Sequence, residues 1–423
     1  MNSRERINAA LRRQPVDRVP VDFGGTGTTG VNVYSYMAAK KVVGLPETIL
    51  TVPEMLSQLV EIEPEMRDAM GGDVVCLWRQ TPCMGMRVDG YKLGTLLDGK
   101  TQAYIPRAFD PVLKPNGDRA YVRPLDDLVH PYKITVGKSY DVGKEVSRCP
   151  VGQKAYSRVC HPLADVTCLE ELEEWTYPIM DQQELDDIGA RAKKLYETTD
   201  KAICGVFNGN IFELGQLYWG YENFYCNLLD EDCDDMMDSY FEKRVDLLMK
   251  DLENYLAVCG KYLSCIEFTD DLGTQESLLI SPDTYRERIK PQHKRMFDFI
   301  HKNYPEVKVL YHSCGAVFDL IPDFIEIGVD ALNPVQISAL GMSPKRLVEA
   351  YGNDITFWGG GVDTQATLVN ATPEQVAKEV ESNLDEFTKG AGYIFSQVHN
   401  VEASVSGENL VAAFMAAKNY KRK

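Results

Sequence analysis

Short, nearly continuous apolar runs recur along the chain: Val19–Phe23, Val74–Trp78, Ala202–Phe207, Cys265–Thr269, Val307–Tyr311, Asp330–Leu332, Ile355–Trp358 and Gly392–Ser396. Each is followed by a polar or glycine-rich break and then a helical pattern. Runs that do not alternate strictly between apolar and polar positions point to strands buried on both faces of a parallel sheet. Helix starts fall between them. Ser281-Pro282, Ser343-Pro344 and Thr372-Pro373 each place a capping hydroxyl before a proline suited to the first helical position. Thr372 and Gln375 also have the spacing of a capping box ahead of an amphipathic stretch. Strands alternating with helices in this way predict an α/β protein of the (β/α)8 TIM-barrel class.

One stretch breaks the rhythm. From 84 to 156 the text turns to short alternating pieces separated by Gly and Pro, which is the pattern of hairpins. It predicts a β-rich insertion after the second strand, serving as a lid or as a partner-docking surface, or else as a structural excursion packed on the side. The catalytic barrel is then expected to comprise 1–83 and 157–423.

Composition narrows the function classes. The 423 residues include 45 Lys plus Arg against 63 Asp plus Glu, a net charge of −18. An apolar share of 44% fills a large core, so disorder is excluded. The acidic balance argues against nucleic acid as a partner, because phosphate binding needs a basic surface. The opening MNSRERINAALRRQ has no apolar core of the signal-peptide kind, and no apolar run approaches the roughly 20 residues that span a bilayer. The eleven cysteines include no CxxC pair. Together these features predict a cytoplasmic enzyme with reduced thiols and no membrane association.

In a TIM barrel, chemistry gathers at the C-terminal ends of the strands. The polar residues there are Asp22, Arg79, Gln80, Asn208, Asn210, Glu267, Asp270, Asp271, His312, Cys314, Asn333, Gln336, Asp363, Ser396, His399 and Asn400. His312 and Cys314 stand out, because an i, i+2 pair leaving a strand points both side chains to one side. Imidazole and thiolate form a donor set suited to zinc. Barrel closure brings His399 toward them, giving three protein ligands with an open fourth position. Glu267, Asp270 or Asp271 could supply a further ligand, as could a substrate, or the acids could orient His312. Two look-alikes weigh less. Gly25, Gly27 and Gly30 match GxGxxG, yet no compact βαβ unit follows, so the segment reads as a close-approach loop. Asp230, Asp232 and Asp234 open like a calcium loop, but Asp235 and Phe241 stand where Gly and Glu are required.

The same residues carry a resemblance to the uroporphyrinogen decarboxylase superfamily. It runs from RERINAALRRQPVDRVPVDFGG to VHNVEASVSGENLVAAFMAA and is densest in DDLGTQESLLISPDTYRERIKPQ, YHSCGAVFDLIPDFIEIGVDALNPVQ and FWGGGVDTQATL. The true decarboxylases carry an arginine-bearing motif after the first strand, where this chain reads DFGGTGTTG. The sequence therefore more closely resembles the corrinoid-dependent methyltransferase branch, whose members bind zinc through HxC and a later Cys. Here the later position is His399. The VHN form resembles the first methyltransferases of demethylase systems. The resemblance implies Zn2+ on His312, Cys314 and His399, with Asn208, Asp271, Asn333 and Gln336 shaping the catalytic pocket. It implies a small methoxylated or methylated donor, aromatic donors included, and a separate protein carrying a Co(I) corrinoid (cobalamin) docked at the barrel mouth. Tyr218, Trp219 and Trp358 are candidates to sandwich an aryl substrate. A decarboxylase role, methyl transfer to a thiol, a non-catalytic scaffold and a homodimeric state all remain open on the sequence alone.

Overall fold

The computed structural model describes residues 1–80, 88–122, 145–173 and 179–421. Seven parallel strands form one curled, TIM-barrel-like sheet: β1 (Val74–Leu77), β2 (Ala202–Asn208), β3 (Cys265–Thr269), β4 (Lys308–His312), β5 (Ala331–Asn333), β6 (Thr356–Trp358) and β7 (Tyr393–Ile394). Their order in the sheet is their order in the chain. Apolar side chains on both faces explain the unbroken runs: in β2 every residue from Ala202 to Phe207 is buried.

The expected strand Val19–Phe23 is not a strand. Val21 makes a single parallel bridge to Phe395. Pro20 lacks the N–H that a ladder needs, and Asp22 is occupied by its own side-chain contacts. The segment nonetheless sits between the two edges of the sheet. Phe395 N–H donates to Pro20 O at 2.8 Å, Asp22 N–H donates to Phe395 O at 2.8 Å, and on the other side Asp73 N–H donates to Val21 O at 2.7 Å. The buried Asp73 carboxylate completes the joint. It accepts from Val21 N–H at 3.0 Å, from Arg6 Nη1 at 2.8 Å and from both terminal nitrogens of Arg18 at 2.8 Å.

Between β1 and β2 the described residues form two small antiparallel sheets, one pairing Tyr91–Thr95 with Gln102–Pro106 and one built from Val112–Leu113, Arg119–Val122, Glu145–Cys149 and Ser157–Arg158. Residues 84–87 and 123–144 of the expected insertion, and Cys83, lie outside the described residues. The small sheets do not stand apart. Ala103, Ile105, Phe109, Tyr121, Val146 and Tyr156 belong to the same buried cluster as the barrel helices, and Tyr104 exchanges backbone bonds with Leu50 and Val52.

The expected caps are present with one difference. Thr372 and Gln375 form a full capping box on helix Pro373–Phe387. Ser281 caps a short turn that passes through a π-turn into helix Lys290–Asn303. Ser343 precedes helix Pro344–Tyr351 without a side-chain cap bond. Among the described residues no helix is long and apolar enough to cross a membrane.

Candidate metal centre

Strand register assembles the site. His312 ends β4 and is the Cα partner of Asn333, the last residue of β5, on one side and of Thr269, the last residue of β3, on the other. The next turns carry Asp271 and Cys314. Ligand atoms of Asp271, His312 and Cys314 all lie within 4.8 Å of one another. His312 Nε2 is 3.7 Å from Asp271 Oδ1. The β4 turn is held from both flanks: Cys314 N–H donates to Asp271 Oδ1 at 2.8 Å, and Gly315 N–H donates to Gln336 Oε1 at 2.7 Å. Gly315 has φ of +91° and packs against the backbone of Gly273, where a Cβ would come within 2.5 Å. A side chain there would push the Cys314 turn away from Asp271.

His312 is buried, and its Nδ1 lies 2.6 Å from Asn333 Oδ1. The Asn333 amide is oriented by Nδ2 donating to Trp358 O at 3.0 Å. His399 comes from the β7 side, its ring 5.3 Å from that of His312 and nearly edge-on. Burial, then the neighbouring His312, push its pKa down to about 4, so the ring is neutral near pH 7. Burial and the Asp271 carboxylate push the Cys314 thiol well above its usual range. A thiol, an imidazole and a carboxylate converging in an acidic surrounding form a donor set that a divalent cation such as zinc fits.

Other expected residues are used elsewhere. Asp270 is fully buried and turned away: its oxygens accept from the backbone N–H groups of Ile211, Phe212 and Glu213 at 3.1, 2.9 and 2.6 Å, capping helix Phe212–Trp219. Glu267 accepts from Gly27 N–H at 2.8 Å and from the Thr28 hydroxyl at 2.6 Å. Asn208 ends β2 with φ of +66°, a left-handed turn that asparagine tolerates. Trp219 is core, its indole bonded to Val166 O and its ring edge-on to Tyr240. Trp358 is buried and donates to Asp22 Oδ2 at 2.8 Å. Tyr218 is buried in the same core cluster as Trp219. Arg79 pairs with Glu184 and Asp251 beneath the mouth.

The glycine run is a close-approach loop, as its sequence suggested. An added Cβ would lie 2.5 Å from Val74 at Gly25 and 2.8 Å from Glu267 Oε2 at Gly27. Sequence reasoning missed Thr28, which bridges Glu267 and Asn333 from this loop. At the acidic segment, Glu231–Cys233 form a single 3-10 turn, and Asp230 accepts from Asp232 N–H. Helix Asp234–Cys259 follows with two aspartates in its first turn.

The profile of the uroporphyrinogen decarboxylase family matches residues 244–420, which hold β3 to β7 and every donor of the cluster. Across nearly its whole length the fold is similar to that of a methyltransferase from Methanosarcina mazei, with a TM-score of 0.58 and 17% identity, covering 99% of this chain and 98% of that one. A psychrophilic glycoside hydrolase family 10 endo-beta-1,4-xylanase aligns with a TM-score of 0.35 and 10% identity over 57% of this chain and 82% of that one. No curated protein matches the sequence.

Proposed function

We propose that the protein is a zinc-dependent methyltransferase that moves a methyl group from a small methoxylated or methylated substrate to the Co(I) corrinoid of a partner protein. The observation that carries this reading is the convergence of Asp271, His312 and Cys314 at the strand ends, inside the segment that the family profile matches. The methyltransferase-like fold supports it. His312, Cys314 and Asp271 would hold the zinc, with His399 beside them as the further donor of the HxC-and-later-residue pattern. Bound there, zinc supplies Lewis acidity toward the heteroatom that loses its methyl group.

The chain's own residues do the rest. Asn333 and Gln336 fix the β4 turn, and the Gly25–Gly30 loop walls the inner side of the site. Asp271 sits at the mouth, its Oδ1 accepting from Cys314 N–H and lying 3.7 Å from His312 Nε2. The lid or partner-docking role is assigned to the segment that carries the two small antiparallel sheets. The namesake decarboxylation is the weaker reading, because residues 22–30 contain no arginine for a polycarboxylate.

The test is metal analysis of the purified protein, together with methyl transfer to a reduced corrinoid protein, for the wild type and for His312→Ala and Cys314→Ala. Both variants should lose zinc and transfer. Full transfer by a metal-free preparation, or turnover of a porphyrinogen without a corrinoid partner, would overturn the proposal.

A further inference from the structure

Proton counting around Asn333 leads beyond the ligand set. Asn333 is fully buried on β5 and touches three groups: Nδ2 donates to Trp358 O at 3.0 Å, and Oδ1 lies 2.6 Å from His312 Nδ1 and 2.9 Å from Thr28 Oγ1. Turning the amide over would set its oxygen against the Trp358 carbonyl oxygen, two acceptors face to face, so the orientation is fixed. An oxygen facing Nδ1 accepts, and Nδ1 must therefore carry the proton. The Thr28 hydroxyl donates from between Glu267 Oε1 at 2.6 Å and Asn333 Oδ1 at 2.9 Å, and the amide oxygen, with two lone pairs, still accepts from His312 Nδ1–H.

We infer that Asn333 is a positioning residue that locks His312 as the Nδ1–H tautomer and leaves the Nε2 lone pair facing Asp271 and Cys314. Thr28 and Glu267, reaching in from the glycine loop and from β3, hold the amide in place. Without the lock the two tautomers of a neutral imidazole lie close in energy, and each metal-binding event must first select the right one. The role in metal binding rests on the function proposed above; the tautomer does not.

The experiment uses the metal-free full-length protein with 15N-labelled histidine, at mildly alkaline pH. With six histidines in the chain, the His312 ring signals are identified by their loss in His312→Gln. Long-range 1H–15N correlations should show Nδ1 protonated and Nε2 bare. Asn333→Asp, which keeps an acceptor oxygen facing Nδ1 but sets its second oxygen against the Trp358 carbonyl, should retain that tautomer at a cost in stability. Asn333→Leu should give a mixture or the Nε2–H form, with zinc affinity lowered by about 10–100-fold in competition with a chelator. A wild-type ring protonated on Nε2 would overturn the inference, whatever the variants do. So would an Asn333→Leu protein with unchanged tautomer and unchanged zinc affinity. If the wild type shows Nδ1–H yet binds no zinc, the functional proposal fails while the tautomer assignment stands.

Discussion

Asp270 and Asp271 are neighbours in the chain and face opposite ways at the end of β3. Asp270 turns beneath the mouth to cap helix Phe212–Trp219 and to meet His293 Nε2 at 3.1 Å, whereas Asp271 turns to Cys314 and His312. Their substitutions should separate cleanly. Asp270→Ala removes a buried cap and leaves His293 without its acceptor, so unfolding should become easier by about 2–4 kcal/mol. Asp271→Ala should change stability by less than about 1 kcal/mol while weakening zinc binding. Urea titration and chelator competition on both variants check this, and a destabilised Asp271→Ala with intact zinc affinity would contradict it.

The Gly25–Gly30 loop should tolerate no side chain at its contact with β3. Gly27→Ala places a methyl 2.8 Å from Glu267 Oε2, displacing either the carboxylate or the loop and breaking the bond to Thr28. A loss of about 1–3 kcal/mol and a several-fold lower zinc affinity are expected. Zinc affinity equal to wild type would show that the loop does not support the site.

Asp22 makes stability depend on pH. Burial, opposed by donors from Thr29, Trp358 and Gly25, pushes its pKa up from 3.8 in the unfolded chain to about 6 in the fold. The folded state therefore holds the proton more tightly. That contribution is fully present below 3.8 and is lost as pH rises through about 6. Asp22→Asn is expected to flatten the pH dependence over this window by at most about 2–3 kcal/mol, alongside a uniform loss from its mismatched amide. Denaturation midpoints measured across the window decide it, and an unaltered slope would assign the dependence to other groups.

Asp73 is the ionic joint of the ring. Asp73→Ala leaves Arg6 buried with only Asp17 as a carboxylate partner and removes the acceptor of Val21 N–H. A destabilisation of about 3–5 kcal/mol is expected, and thermal unfolding of the variant measures it. A change under about 1 kcal/mol would mean that the backbone bonds of Pro20–Asp22 suffice.

Much of this arrangement was legible in the sequence because a strand buried on both faces must be apolar throughout. Ala202–Phe207, Cys265–Thr269 and Val307–Tyr311 announced themselves in this way, and the HxC pair was visible as two donors with one residue between them. What was not legible depended on direction and partners. Nothing local distinguishes Asp270 from Asp271, since which acid turns downward depends on where helix Phe212–Trp219 begins. Val19–Phe23 has strand composition, but Pro20 removes a ladder donor and the Asp73 side chain takes a backbone's place at Val21. Trp219 and Trp358 offered aromatic surface on paper, yet their indole N–H groups are committed to Val166 and Asp22. Thr28 was hidden because its partners, Glu267 and Asn333, lie on β3 and β5, more than 200 residues away in the chain.

The joint at Pro20–Asp22 sets an order of events during synthesis. Strands β1 to β7 each pair with the next one made, so the sheet can lengthen as the chain emerges. The segment that spans its two edges is made before β1, and its partner Phe395 just after β7. Until β7 exists, the N-terminal arm can hold only the β1 side, through Asp73 and its arginines. Closure of the ring thus waits for β7, and the mouth that gathers Asp271, His312, Cys314 and His399 is complete only after it.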